Sequence, residues 1–207
     1  IQNAIDSKAE FISISIEGET SLVFEHSGRI FDENDVRALC AKGVSNKDLG
    51  TVGFMGVGFK SIFHRFQRVE VSSGPWQFFL RVEDDAGSWL GAMLPYPDST
   101  IVKPDGVMRC RFVLRGLRQG SDSEQGQSLE DDLDCVLPDD LSLLPLLARN
   151  GVKSLEWNGC PWILETEESE IVGIPVVPDR AKVEKLSKIL VTATPNDSGE
   201  KQWVHFC

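Results

Sequence analysis

The stretch Gly50-Thr51-Val52-Gly53-Phe54-Met55-Gly56-Val57-Gly58-Phe59-Lys60-Ser61 decides how the rest of the chain reads. Glycines at 53, 56 and 58 leave backbone amides uncovered. Behind them, Phe59, Ile62, Phe63 and Phe66 recur at i, i+3, i+4 and i+7, a spacing that predicts an amphipathic helix ending near Gln67. A glycine-rich loop opening a helix is an anion site, because bare amides converge on the ligand and the helix dipole favours negative charge. The expectation is a loop that holds a nucleotide phosphate chain. Two related patterns fit less well. A Rossmann turn follows a buried strand, whereas Ser45-Asn46-Lys47-Asp48-Leu49 is polar. A P-loop needs GxxxxGK[ST], and here Phe59 separates Gly58 from Lys60-Ser61. The competing explanation is a glycine turn that merely lets a helix pack closely.

Upstream, Ile1, Ala4 and Ile5 mark the apolar face of a helix end, and Asn3 and Asp6 lie three apart on another face. Ile12, Ile14 and Ile16 alternate with Ser13 and Ser15, which predicts a half-buried strand over 11–16. A second strand over 21–25 ends at His26-Ser27-Gly28, a polar trio at a strand end, where sheets display ligand groups. A lone histidine there is also an ordinary satisfied core residue. Asp32 is placed to cap a helix carrying Asp35 in its first turn and Val36, Leu39 and Cys40 on its apolar face.

Downstream the pattern is mostly of strands. Val69 and Val71 alternate, as do Trp76, Phe78 and Leu80, and then Met108, Cys110, Phe112 and Leu114. The last set presents Arg109, Arg111 and Arg115 on its other side, read as a solvated sheet face. Turns are expected at 72–75 and 84–87, a mobile loop over 116–127, and a solvated acidic stretch over 130–140. A leucine-rich helix over 141–148 and strands at 153–157, 162–164, 171–177 and 189–193 complete the chain; Val183, Leu186 and Leu190 offer a short helix as the alternative before the last of these.

Composition sets limits. The 207 residues suit one domain, here divided as a 1–115 core, an acidic 116–140 loop and a 141–207 extension. A net charge of -11 argues against a general electrostatic grip on nucleic acid. Five scattered cysteines, odd in number and without a CxxC pair, point to a reducing compartment, cytoplasmic or nuclear. The start at Ile1, inside an apparent helix, leads us to expect an N-terminal fragment of a larger protein.

Three pieces stand in a telling order: a helix with Asn3 and Asp6, a strand ending in His26-Ser27-Gly28, and a short loop running into Gly53-x-x-Gly56-x-Gly58-Phe59. This order resembles the GHKL superfamily of gyrase B, heat-shock chaperone, histidine kinase and MutL ATPases. The wording is nearest to sacsin-like proteins, through Ile1-Gln2-Asn3-Ala4, Phe31-Asp32-Glu33-Asn34-Asp35-Val36 and Ser45-Asn46-Lys47 with the glycine box. The resemblance is strongest over residues 1 to about 80. It implies an α/β (α+β) fold of Bergerat type: a two-layer sandwich of a mixed, mostly antiparallel sheet with helices on one face.

The resemblance also implies roles. The ligands would be ATP and Mg²⁺. Asn3 would give its side-chain oxygen to the metal, and Asp6 would line the pocket near ribose and phosphate. Gly53, Met55, Gly56, Val57, Gly58 and Phe59 would form the phosphate loop, with backbone amides from 53 and 56–59. Ser45 and Lys47 would close from a lid, Lys60 would add a point charge, and Ser61, His26 and Gly28 would complete the nucleotide-binding set. ATP hydrolysis would act as a conformational switch in a chaperone-like manner, with further domains downstream and an ATP-dependent homodimer as expected partners, and neither membrane nor nucleic acid bound directly.

This chain departs from the family pattern at three places. The glutamate base would precede Ile1. The aspartate that reads the adenine amine is replaced by His26, which can accept that bond in one tautomer only, while Glu25 should point to the opposite face. The expected glycine-threonine pair is Gly106-Val107. These changes keep a second reading open, a degenerate scaffold that binds protein partners and nucleotide weakly or not at all.

Overall fold

The computed structural model describes residues 1–40, 59–82, 92–118, 128–129, 143–170, 187–193 and 202–206. Alternation of apolar and polar residues builds most of it. The strands are β1 (Phe11–Glu17), β2 (Ser21–His26), β3 (Phe66–Ser73), β4 (Trp76–Arg81), β5 (Tyr96–Pro97), β6 (Cys110–Leu117), β7 (Ser154–Trp157) and β8 (Cys160–Ile163). They form one sheet in the order β5-β4-β3-β6-β2-β1-β7-β8. Every pairing is antiparallel except β1 with β7. A second, antiparallel sheet orders β11 (Gln202–Phe206), β10 (Ser187–Ala193) and β9 (Glu165–Glu170).

Register turns the alternation into rungs on one face. Ile16, Leu22, Leu114, Val69 and Leu80 form one rung across β1, β2, β6, β3 and β4; Ile14, Phe24, Phe112, Val71 and Phe78 form the next. The helices pack on this face. From α1 (Gln2–Asp6) and α3 (Leu143–Arg149), Ala4, Ile5, Leu144 and Leu147 bury against Ile12, Ile14, Leu155 and Trp157. From α2 (Glu33–Cys40) and a 3₁₀ helix (Phe59–His64), Val36 and Phe63 bury against Val69, Val71, Phe78, Leu80 and Phe112. Leu22 and Phe24 touch both clusters and join them. The fold is thus the mixed, mostly antiparallel sheet with helices on one face that the resemblance implies.

Several expectations need correction. The amphipathic run from Phe59 does not continue as a helix to Gln67. It makes one short 3₁₀ segment to His64, and Phe66 opens β3, opposite Leu117 of β6. Sheet pairing takes the backbone that the local spacing assigned to a helix. The arginine face is not simply solvated either. Arg111 donates to Glu25 (2.9 Å), Arg115 to Glu17 and Glu70 (both 3.1 Å), and Arg68 to Glu70 (3.1 Å) and Asp98 (3.3 Å), so ion pairs cross the sheet's outer face. The strand over 189–193 holds as part of β10, which begins at Ser187, and excludes the alternative helix through Leu190. The turn at 84–87, the acidic stretch over 130–140 and the strand over 171–177 lie outside the described residues, as does 119–127 of the expected loop.

Asp32 caps α2 as expected. Its Oδ1 accepts from the Asp35 amide (3.0 Å), and Asp35 Oδ2 accepts from the Asp32 amide (2.8 Å) and binds Arg29 (2.8 Å). Asp35→Ala removes half of this reciprocal cap and an ion pair. It should cost about 1 kcal/mol, read as a lower urea midpoint with unchanged slope. Among the described residues no helix is long and apolar enough to cross a membrane.

Candidate functional site: a polar rung at the sheet's end

The rung beyond Ile14 and Phe24 breaks the apolar pattern. It reads Ile12, His26, Cys110, Ser73 and Trp76 across β1, β2, β6, β3 and β4. Its three central members are polar or titratable and fully buried. Such groups must find partners inside the protein, and the chain leaving β2 supplies them. The Phe31 amide donates to Ser73 Oγ (2.9 Å), Trp76 Nε1 donates to the Phe31 carbonyl (3.1 Å), and Cys110 Sγ lies 3.0 Å from Ser73 Oγ and 3.5 Å from the Arg29 carbonyl. Residues 28–32 are therefore strapped across the end of the sheet. Burial pushes the Cys110 thiol up, so it stays protonated.

His26 sits at the centre. The Gly28 amide donates to its Nδ1 at 3.1 Å. Ser7 Oγ lies 3.5 Å from the same nitrogen but donates its own proton to the Ala4 carbonyl (2.8 Å). The ring packs among Phe24 and Phe112, at 5.7 and 6.1 Å between centroids. Burial lowers its pKa from 6.5 to about 4, so the imidazole is neutral at physiological pH. Glu25 does point the other way, to Arg111.

The α1 helix reaches this rung through its C-terminus. Ser7 caps the helix, with its amide on the Asn3 carbonyl (3.1 Å), and its carbonyl accepts from the Arg29 amide (2.9 Å). Asn3 is exposed, and Asp6 is half-buried and accepts from Gln2 Nε2 (3.0 Å). From the other side, the Phe59 ring reaches Phe112 at 6.3 Å, so the end of the glycine stretch and His26 share one aromatic neighbour. Lys60 turns inward. It donates to the Ala92 carbonyl, lies near the Phe59 and Phe63 rings, and burial lowers its pKa. Ser61 is exposed. Ser45, Lys47, Gly53, Met55, Gly56, Val57 and Gly58 lie outside the described residues.

The structure thus brings His26, Gly28 and Phe59 around one end of the sheet, linked through Phe112, and joins α1 to them through Ser7, the residue after Asp6. It adds Ser7, Ser73 and Cys110, which the sequence reading passed over. A cavity of about 670 Å³ opens nearby, lined in part by Ser7, Phe11, Ser27, Arg29 and Arg109, but Asn3, Asp6, His26 and Phe59 do not line it. Among the described residues no group of three or more His, Cys, Asp or Glu side chains is placed to hold a metal.

No family model and no curated protein matches the sequence. Among solved structures, the chain is similar to the N-terminal domain of a DNA repair protein (14% identity, TM-score 0.43, covering 93% of this chain), to the Aquifex aeolicus MutL ATPase domain complexed with ADP (14%, 0.46, 96%), and to the B-subunit of DNA gyrase from Myxococcus xanthus (13%, 0.46, 93%). The chain spans 63%, 74% and 59% of their respective lengths.

Proposed function

We propose that this chain binds a nucleoside triphosphate with magnesium, ATP in the resembled family, and that hydrolysis serves as a conformational switch in a larger protein. The observation that carries the reading is the convergence on one sheet end of the strand-terminal His26, the α1 helix through Ser7, and the residue that ends the glycine stretch, Phe59, through Phe112. The base end of the ligand lies over the polar rung. The phosphates meet the amides of Gly53, Gly56, Val57, Gly58 and Phe59, under a lid carrying Ser45 and Lys47. Fixed amides of this kind stabilise phosphate charge without reorganising.

Asn3, exposed on α1, fits a single oxygen donor to an ion that keeps most of its waters and takes its other ligands from phosphates. Magnesium, when bound, neutralises charge on the phosphate oxygens. Asp6 orients the ribose side. Lys60, engaged on the Ala92 carbonyl, anchors the 3₁₀ helix and reaches a phosphate only by leaving that contact. Closure of the lid on nucleotide drives homodimerisation and passes the switch to further domains. Two observations favour the rival reading of a protein-binding scaffold with a weakened site: His26 in place of a carboxylate, and the inward turn of Lys60.

Calorimetric titration with ATP, ADP and GTP, with and without magnesium, tests the proposal. Magnesium-dependent binding is expected, and Asn3→Ala should remove the magnesium dependence while the chain stays folded. No binding at millimolar nucleotide to a folded chain overturns the proposal in favour of the scaffold.

A further inference from the structure

We infer that His26 offers a hydrogen-bond donor to the base, so that the site selects a base with a carbonyl oxygen at the position it faces, a 6-oxopurine, over one with an amine. The inference rests on the nucleotide reading above, which places the base at His26. The proton's position follows from the contacts of the ring. A backbone N–H can only donate, and the Gly28 amide points at Nδ1 from 3.1 Å. That nitrogen must therefore carry its lone pair. In a neutral imidazole the proton then sits on Nε2. Ser7 does not reverse this, because its hydroxyl proton is given to the Ala4 carbonyl at 2.8 Å. The ring stays neutral at physiological pH, so the same tautomer holds throughout the working range.

The neighbours on the rung do not restore an acceptor. Glu25 is on the opposite face, bonded to Arg111 at 2.9 Å. Ser73 Oγ already accepts from the Phe31 amide, and Cys110 is a protonated thiol in contact with Ser73 and the Arg29 carbonyl. A carboxylate at position 26 would accept a bond from an exocyclic amine. His26 with its proton on Nε2 sets a donor against that amine and leaves both groups unsatisfied in a dry site, which is costly. A carbonyl oxygen in the same place accepts the bond. Sites built around a defined buried donor or acceptor discriminate strongly against the mismatched analogue.

Inosine triphosphate is the clean probe, since it exchanges the 6-amine of ATP for a carbonyl, with the proton on N1 that this entails. Titrated with magnesium into the wild-type chain, inosine triphosphate should bind at least about tenfold more tightly than ATP, the equivalent of one mismatched hydrogen bond. His26→Asp should move the ratio back toward ATP. Long-range ¹⁵N–¹H correlation spectra, with the His26 signal identified by its loss in His26→Gln, should show the proton on Nε2; this readout stands even if the aspartate variant fails to fold. ATP binding as tightly as inosine triphosphate, or a proton on Nδ1, overturns the inference and leaves the nucleotide reading intact. Failure of both nucleotides to bind the folded chain overturns the nucleotide reading, and the inference with it.

Discussion

Gly28→Ala is expected to destabilise the chain by about 3 kcal/mol and to lower Tm by roughly 6–12 °C for a protein of this size. A Cβ at position 28 would stand 2.1 Å from Ser7 Oγ and 2.9 Å from both Ser7 Cβ and His26 Nδ1. Ser7 cannot simply step aside. Its carbonyl accepts from the Arg29 amide at 2.9 Å, and its hydroxyl is tied to the Ala4 carbonyl. Relief therefore requires moving the end of α1 away from the end of β2, which loosens the Gly28 bond to His26 as well. The need for glycine here is one of space. At Gly18, by contrast, φ is +67° and the surroundings are open, so Gly18→Ala should cost only about 1 kcal/mol of backbone strain. Ser7→Gly in the Gly28→Ala background removes both clashing Ser7 atoms and should recover most of the loss. Thermal unfolding of the four proteins measures this. If Gly28→Ala instead melts with the wild type and loses nucleotide affinity, position 28 faces the ligand and the close approach to Ser7 is not real.

This contact between α1 and β2 also shows what the sequence could and could not reveal. Alternation located the apolar rungs, because Ile12, Ile14, Phe78, Leu80, Phe112 and Leu114 repeat with period two on strands packed against helices on one face. It failed where pairing overrides local pattern. Phe66 completed a helical spacing with Phe59, Ile62 and Phe63, yet its backbone pairs with Leu117. The segment Glu165–Glu170 carries almost no apolar signal, and it is a strand because β10 pairs with it. The site divides in the same way. The closeness of His26 and Gly28 was legible because they lie two residues apart at a strand end. Cys110 and Ser73 were not. The family pattern points to Val107, after Gly106, whereas register places Cys110 directly opposite His26 and Ser73 beyond it. Register between strands whose paired residues lie 37 or more apart along the chain is not written in either strand alone. Ser7 was missed for a different reason: its role comes from a glycine that lets two elements touch, and that distance has no local sequence signature.

Below neutral pH, the wild-type chain should lose about 3 kcal/mol of stability relative to His26→Gln as the pH falls from roughly 6.5 to 4. His26 is buried and its pKa drops from 6.5 to about 4 on folding. Between these values the unfolded chain binds a proton at His26 and the folded chain does not, so stability rises with pH across this window and is lost on acidification. Below about pH 4 the folded form also takes up the proton and the contribution levels off. A drop of about 2.5 pH units at about 1.4 kcal/mol each gives the magnitude. Glutamine is the apt comparison, because its oxygen can accept from the Gly28 amide and its NH₂ can donate in place of Nε2–H, while it cannot be charged. All other ionisable groups are common to both proteins, so the difference between their urea midpoints, taken at about pH 7.5, 6, 5 and 4.5, isolates His26. Parallel curves would mean that the imidazole reaches solvent in the folded chain. A diverging pair would mean that the ring is held neutral by its burial, and that is the condition under which the Gly28 amide can keep a single tautomer in place. The acid sensitivity of the fold and the donor offered at the sheet's end would then have one origin: a titratable ring placed on a rung that excludes water.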